Sequence, residues 1–434
     1  MRRQDKRGIS VGTVAVLVMT CLVLAGTVLI WLRLSSGRMP DLSHLHTDTA
    51  VAPEGPEDQA DEVRGQNLSA DPSVPPASAP TSAPSAAPAA EPEEYSFTLT
   101  VAGTAAVEGE VRKNSYVSEL KTYDLSDIMT LLKSELRSDL NVVFLENIIS
   151  DDLKVSDTVI TGNMADMLKA AGFNMAACGF SLSWYQAENG VSDTRMNLLE
   201  RGIRPVGIYD ENDQNQVRVS ETNGVRYVIL QYTDTIASGI RKKMAKNNMS
   251  GMVPEADPEA IAADIAAARS QGARAVIVLI SWGKVGKAPD KAQKALARKI
   301  ADAGADLIIG SGSRIPQGVE YLSAVREDGS TASVPCAWSL GTTLSAERGS
   351  ARRLSGYLLH VTVSVRGNSA ARIGELRFTP VYTWKYKQDG RFYYRCLASG
   401  GSAPDGMDSD QAKMMKKAYD AVTDALKDSP VTQR

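Results

Sequence analysis

One local pattern recurs along this sequence: a helix end, a glycine and then a short apolar run. Glycine ends helices because it tolerates the left-handed backbone that follows the last turn. Apolar runs of this length are typical of strands that are buried on both faces. The repeats are Gly172 before residues 174–178, Gly202 before 204–208, Gly272 before 273–280 and Gly304 before 306–309. This alternation predicts an α/β fold with a central sheet.

Other segments complete the predicted domain. Residues 95–104 alternate in polarity and predict a strand, and residues 141–145 predict a buried one. Residues 126–137 predict an amphipathic helix, with Ile128, Leu131, Leu132 and Leu136 on one side. Asp257 followed by Pro258 predicts a helix start. Residues 356–365 and 371–384 predict a β-hairpin, and residues 408–426 predict a terminal helix.

The N-terminal region predicts a membrane anchor. Residues 9–34 are apolar and uncharged until Arg33, which is long enough to span a bilayer. Basic residues within 1–8 predict a cytoplasmic tail, so everything after Leu34 is expected outside the membrane. Residues 35–94 are rich in Pro, Ala and Ser and predict a disordered linker. A single α/β domain is expected over residues 95–397, and residues 398–434 form a loop and the C-terminal helix.

Charge and cysteine content exclude other classes. The net charge of −3 gives no reason to expect nucleic acid binding. Cys21 lies in the predicted span, which leaves Cys178, Cys336 and Cys396 outside. An odd number cannot all pair within the chain, and their spacing matches no zinc motif. These three are therefore expected to be buried thiols.

The loops that follow the predicted strands form the candidate site. In open α/β folds, ligands bind beyond the carboxyl ends of the strands. We therefore expect these loops to converge at one edge of the sheet as a ligand pocket. The candidate lining residues are Thr104, Glu146, Ser181, Ser281, Trp282, Ser311, Ser313, Arg314 and Thr342.

The order of several short motifs carries a family resemblance. Leu145-Glu146 follows the second strand, Ser281-Trp282-Gly283 follows a later one, and residues 304–310 read GADLIIG. Ser339-Leu340-Gly341 comes last. In this order the motifs resemble those of the CapA-like proteins, the poly-γ-glutamate capsule synthesis family. The resemblance implies a metallophosphatase-like four-layer α/β/β/α sandwich and a role in capsule or envelope polymer assembly.

The same comparison predicts that the family's metal site is lost. Thr104 stands where the family has Asp, Thr342 where it has Asn, and Ser281, Gly312 and Arg314 where it has His. Of the charged site residues, only Glu146 remains. A two-metal site needs several carboxylates and imidazoles around its cations. The single histidine of the domain, His360, lies in a β-type run. We therefore expect no metal and no cofactor.

Three functional hypotheses remain open. The first is a non-catalytic binding or scaffolding protein, whose partners would be the membrane and an anionic envelope polymer or capsule-assembly proteins. The second is an active hydrolase or transferase with unrecognised ligands, in which Ser281, Ser311 or Ser313 would react and Glu146 would act as base. The third is an anion binder that uses residues 310–314. The loss of ligands favours a protein that is not an enzyme.

Overall fold

The structure is a computed structural model that describes residues 93–434, apart from Asp328 and Asn368. The predicted cytoplasmic tail, membrane anchor and nearly all of the predicted linker lie outside these residues. None of the described helices combines the length and the apolar composition of a membrane span.

The described residues form helices and strands in alternation. The helices are α1 Gly109–Ser115, α2 Asn163–Ala171, α3 Ala187–Glu200, α4 Ser238–Lys246, α5 Pro258–Ser270, α6 Lys291–Asp302 and α7 Ser409–Leu426. The first ten strands are β1 Glu94–Ala105, β2 Tyr116–Val117, β3 Thr122–Tyr123, β4 Leu140–Leu145, β5 Ile148–Ile149, β6 Val159–Ile160, β7 Met175–Ala177, β8 Arg204–Val206, β9 Ser220–Thr222 and β10 Val225–Thr233. The others are β11 Ala275–Ser281, β12 Leu307–Ser311, β13 Val319–Val325, β14 Thr331–Ala337, β15 Thr342–Leu344, β16 Ser355–Arg366, β17 Arg372–Ile373, β18 Arg377–Gln388, β19 Arg391–Ala398 and β20 Thr432–Gln433.

Most of the strands build two mixed sheets rather than one central sheet, and β2-β3 and β5-β6 form separate two-stranded pairs. The first has the order β19-β18-β16-β1-β4-β7-β8, with β15, β17 and β20 attached to β1, β16 and β18. The second has the order β13-β14-β12-β11-β10-β9. In the first sheet β1, β4, β7 and β8 run parallel, and β16, β18 and β19 continue it as antiparallel strands. In the second sheet the inner strands run parallel, and the edge strands β9 and β13 are antiparallel. The predicted hairpin is the antiparallel pair β16 and β18.

Alternating side chains sort the core into layers. In β1, Phe97, Leu99 and Val101 face the second sheet, whereas Ala102 and Ala105 face helices α2 and α3. The strands of the second sheet alternate in the same way, and their other face packs against α5 and α6. The order of layers is therefore helix, sheet, sheet, helix. Phe97 and Tyr227 meet between the sheets, with ring centroids 4.8 Å apart.

The C-terminal helix is part of the same core. Val422 and Leu426 of α7 are buried with side chains from both sheets, and Met415 packs against Trp384 of β18. Asp408 begins the helix by accepting from the backbone N–H groups of Asp410 and Gln411.

The predicted helix over residues 126–137 is wrong. The structure has only a 3-10 turn there, Thr130–Leu132, and Leu131 is exposed. An α-helix would need the carbonyl of Ile128 to accept from Leu132. That carbonyl instead accepts from the backbone N–H of Cys396 in β19 at 2.6 Å, while Leu132 donates to Met129. A tertiary hydrogen bond thus replaces the helical one.

Cys178, Cys336 and Cys396 are free and buried, as the sequence predicts. Burial raises the pKa of all three thiols, and that of Cys396 reaches about 12. These thiols therefore stay protonated and serve as core side chains.

Candidate functional site

The candidate site lies where the carboxyl ends of the parallel strands of one sheet meet those of the other sheet. Thr104 lies near the end of β1, Glu146 directly follows β4, and Ser311 ends β12. Thr104 is paired with Thr342 of β15. Ser281 and Ser311 lie side by side at the ends of β11 and β12. These residues converge as expected. They come from two different sheets, however, and do not all lie along the edge of one sheet.

A chain of side-chain hydrogen bonds connects the two sheets. The Ser311 hydroxyl lies 2.9 Å from the Thr104 hydroxyl, and Thr104 donates to Glu146 Oε1 at 3.2 Å. Arg314 donates from Nε and Nη2 to Glu146 Oε2, at 2.9 and 2.6 Å. Its Nη1 donates to Glu108 Oε1 at 2.7 Å. Each nitrogen of this guanidinium therefore binds a carboxylate.

The electrostatics of this cluster stabilise the cation. Burial disfavours a charged guanidinium, but the carboxylates of Glu146 and Glu108 outweigh that effect and raise the pKa of Arg314. The side chains of Arg314 and Glu146 are only 22% and 13% exposed, so water screens the pair weakly. Arg314 therefore acts as a fixed positive charge at the centre of the site.

The loop that presents Arg314 has an unusual backbone. Arg314 itself has a φ of 54°, in the left-handed region, and Gly312 has a φ of 104°. A Cβ on Gly312 would lie 2.7 Å from the carbonyl oxygen of Trp282. The glycine is therefore needed for both its conformation and the close approach to Trp282.

The side chains of three predicted site residues donate hydrogen bonds to backbone carbonyls. Trp282 is buried, stacks on Trp338 and donates from Nε1 to the Trp338 carbonyl at 2.9 Å. The hydroxyl of Ser313 donates to the Ile315 carbonyl at 3.1 Å. The hydroxyl of Thr342 donates to the Arg353 carbonyl at 2.9 Å. These side chains hold the loops in position.

The other two predicted serines are placed differently. Ser281 is buried at the end of β11, and its carbonyl accepts from Asp234 N at 3.0 Å. Ser181 is half-buried in the loop after β7. Within the described part of the chain, no hydrogen bond joins Ser181 to Glu146 or Arg314. The only histidine of the domain, His360, lies in β16 between the hydroxyls of Thr100 and Thr379.

Sequence reasoning missed two acidic residues of this region. Glu108 binds Arg314 from the loop after β1, and its role depends on a contact that the sequence does not reveal. Asp234 follows β10 and accepts from Gly283 N at 3.4 Å. Partial burial, with Asp290 nearby, raises the pKa of Asp234 to about 6, although part of its side chain touches water. The strand-end rule would have found Asp234 if β10 had been predicted.

The donor set does not fit a dinuclear metal centre. Among residues 93–434 without 328 and 368, no three or more His, Cys, Asp or Glu side chains form a group able to hold a metal ion. Arg314 binds both carboxylates closest to it, and its charge would repel a cation. The same carboxylates would repel an anion. The guanidinium of the loop over residues 310–314 is therefore paired within the protein and is not available to bind an anion.

Comparison with known proteins gives the family. The model of the family "Bacterial capsule synthesis protein PGA_cap" matches residues 98–347. The PGA biosynthesis protein CapA of Bacillus subtilis (strain 168) is 32% identical over 137 residues, which cover 31% of this chain and 35% of that protein. The chain thus matches about a third of the length of this curated relative.

Solved structures are more distant. The NAD nucleotidase NadN of Haemophilus influenzae aligns with a TM-score of 0.38 and 13% identity, over 79% of this chain and 57% of that one. The calcineurin-like phosphoesterase YfkN of Bacillus subtilis aligns with a TM-score of 0.33 and 12% identity, over 77% of this chain and 100% of that one. Similarity at this level carries no argument about activity. The family match, however, spans more than half of the sequence and confirms the resemblance seen in its motifs. The chain belongs to the family of bacterial capsule synthesis proteins, PGA_cap.

Proposed function

We propose that this protein is a membrane-anchored, extracytoplasmic CapA-like protein that binds or scaffolds without catalysis. Its role would lie in the assembly of capsule, of poly-γ-glutamate or of another cell-envelope polymer. Family membership supports the process, and the apolar residues 9–34 support the anchor. We further propose that the α/β/β/α sandwich is of the metallophosphatase-like type.

The observation that carries the non-catalytic role is the ion-pair cluster of Arg314, Glu146 and Glu108. A metallophosphoesterase needs carboxylates and neutral imidazoles that converge on its cations. Here a guanidinium binds the carboxylates at 2.6 to 2.9 Å, so both are engaged by a fixed positive charge. Removing Glu146 from such a cluster would disturb its charge balance, but it would remove no catalytic group.

The hydroxyls at the same edge do not restore a nucleophile. Ser311 is bonded to Thr104, and Ser313 to a backbone carbonyl. A serine nucleophile needs a base within hydrogen-bond reach. The only histidine of the described residues is held within β16 by Thr100 and Thr379. This arrangement supports the binding role over the alternative, a hydrolase or transferase with unrecognised ligands.

Metal analysis tests this proposal. The full-length protein, with His44→Asn and His46→Asn to remove the linker histidines, would be dialysed against manganese or zinc in nonionic detergent. We expect well under one equivalent of bound metal by elemental analysis, because two carboxylates that are already paired with one guanidinium cannot hold a dinuclear centre.

Variants decide between the two functions. Stoichiometric metal that disappears in Glu146→Ala but persists in Glu320→Ala would contradict the proposal and favour a metal-dependent hydrolase. Glu320 is an exposed residue of β13 and serves as the matched control. Circular dichroism of each variant would verify that the fold is intact.

A further inference from the structure

A pocket lies between the edges of the two sheets, near β8 and β9. It is a cavity of about 210 Å³ and shares no residue with the cluster around Arg314. Three arginines line it: Arg195 from α3, Arg204 from β8 and Arg218 from the segment before β9. Three arginines around so small a volume give it a strongly positive field.

The charges of these arginines are only partly neutralised. Arg218 pairs with Asp213 at 2.5 Å. Arg195 donates to the carbonyl of Ile208 at 2.9 Å, and Arg204 donates to the hydroxyl of Ser220 at 2.6 Å. Among the described residues, Asp213 is the one carboxylate in ion-pair contact with the three, so about two positive charges remain uncompensated.

Arg218 can exchange its partner Asp213 for the anionic group of a ligand. The side chains of Arg218 and Asp213 are both more than half exposed. Exposed pairs of this kind contribute little to stability, so Arg218 loses little by turning to another anion. Arg218 can therefore bind a ligand without a large cost to the fold.

Buried polar atoms in the pocket also lack partners. Arg204 Nε is buried without a hydrogen bond, although the other end of this guanidinium is fixed by Ser220. Gln216 is buried, and its Nε2 donates to Asp264 Oδ2 at 2.7 Å, which leaves Oε1 unpaired. Neither atom is accessible to water in this conformation, so a ligand gains these hydrogen bonds only if the two side chains turn towards it.

Tyr209 supplies a further donor. Burial raises the pKa of this hydroxyl to about 12, against the opposing effects of Arg218, Arg195 and Arg204. The phenol is therefore protonated, and its oxygen already accepts from Gly207 N at 3.3 Å. Its proton is left to donate to a ligand oxygen.

The rest of the lining is apolar. Pro205, Val206 and Ile229 contribute hydrocarbon surface beside the arginines. An inorganic anion would leave that surface uncovered, whereas an aliphatic chain would bury it. We propose that this pocket binds an organic anion that carries two carboxylates on a short aliphatic stem. The two carboxylates match the two uncompensated charges.

Calorimetric titration of the full-length protein in nonionic detergent tests the site. Glutarate is the probe, pentane-1,5-diol is the neutral analogue of the same length, and inorganic phosphate tests an anion without a stem. We expect saturable binding of glutarate, weaker binding of phosphate and none of the diol. Arg218→Gln and Arg195→Gln should each weaken glutarate binding about tenfold or more, because each removes a charge-assisted hydrogen bond.

A matched variant separates this pocket from another basic surface. Arg137 is exposed and lines a different cavity together with His360, so Arg137→Gln should bind glutarate like the wild type. Three results would overturn the proposal: no saturable glutarate binding, equal binding of the diol, or loss of binding in Arg137→Gln alone. Since Arg218 is exposed, its variant should fold even where Arg195→Gln does not, and it then decides the matter. None of these results depends on metal content at Glu146.

Discussion

Two features of Arg314 have opposite effects on the stability of the domain. Its φ of 54° places an L-residue in the left-handed region, which costs about 1–2 kcal/mol. Its guanidinium, on the other hand, forms ion pairs with both Glu146 and Glu108 in a weakly screened environment. The ion pairs thus stabilise a backbone conformation that most side chains avoid.

Two substitutions at Arg314 separate these effects. Arg314→Ala should lower the free energy of unfolding by about 1–3 kcal/mol, because it leaves two carboxylates without their cation. Arg314→Gly loses the same ion pairs but relieves the backbone, so it should be about 1 kcal/mol more stable than Arg314→Ala. Urea unfolding followed by circular dichroism measures both. Equal stability of the two variants would show that the backbone at this position is not strained.

His360 gives the domain a specific pH dependence. Burial, with a smaller effect from Arg434, lowers the pKa of His360 to about 4 from an ordinary value of 6.5. Between these pH values the unfolded chain takes up a proton that the folded chain does not. The contribution of this residue to stability is therefore complete above pH 6.5 and falls as the pH drops towards 4, by up to about 3 kcal/mol.

Stability measured against pH checks this expectation. His360→Gln keeps a group that can bond to Thr100 and Thr379 but does not titrate in this range. The wild type should lose more stability than the variant between pH 6.5 and pH 4, whereas carboxylates affect both proteins alike. Parallel curves for the two proteins would argue against a neutral, buried His360.

At the scale of elements, the buried parallel strands were predictable from the sequence. Strands β4, β7, β11 and β12 consist mostly of apolar residues because both of their faces are covered. Strand β10 lies among them but was not predicted, since Arg226 and Gln231 interrupt its pattern. Gln231 is nevertheless fully buried, and its Nε2 donates to the Gly179 carbonyl at 3.0 Å.

The convergence of the strand-end residues was predictable from the sequence, but their contacts were not. The strand-end rule placed Thr104, Glu146 and Ser311 together, and the structure joins them. The pairing of Arg314 with Glu146 and Glu108 depends on how two loops from different sheets meet. A sequence pattern records each loop separately, so it cannot specify such a contact. The same limit explains residues 126–137, where a long-range bond from Cys396 overrides a helical pattern.

Helix α5 offers a test of a local signal that the structure confirms. Asp257 accepts from the backbone N–H groups of Glu259 and Ala260, at 3.1 and 2.9 Å, and Pro258 is the first helical residue. Asp257→Ala should lower the free energy of unfolding by about 1 kcal/mol, whereas Asp257→Asn should stay close to the wild type. Thermal unfolding of the three proteins compares them. A cap that contributes nothing would leave the alanine variant as stable as the asparagine variant.

For the whole molecule, the two sheets act as one unit through several kinds of contact. Their facing side chains share one core, which also includes Val422 and Leu426 of the C-terminal helix. The hydroxyls of Thr104 and Ser311 join the same sheets at the site edge. A change at this edge therefore affects both sheets, and an intact site depends on the packing of the complete domain.

The orientation of the chain in the membrane is the prediction that concerns the whole molecule. Arg2, Arg3, Lys6 and Arg7 precede the apolar residues 9–34, so the N-terminus is expected in the cytoplasm and the domain outside. Protease added to intact cells, after removal of the wall where necessary, should cut within residues 35–94. It should release a fragment that contains the folded domain, detectable by immunoblotting. A cytoplasmic protein must stay intact in the same cells as a control for lysis. If the fragment appears only after lysis, the orientation is reversed, and a scaffolding role in assembly outside the membrane would have to be abandoned with it.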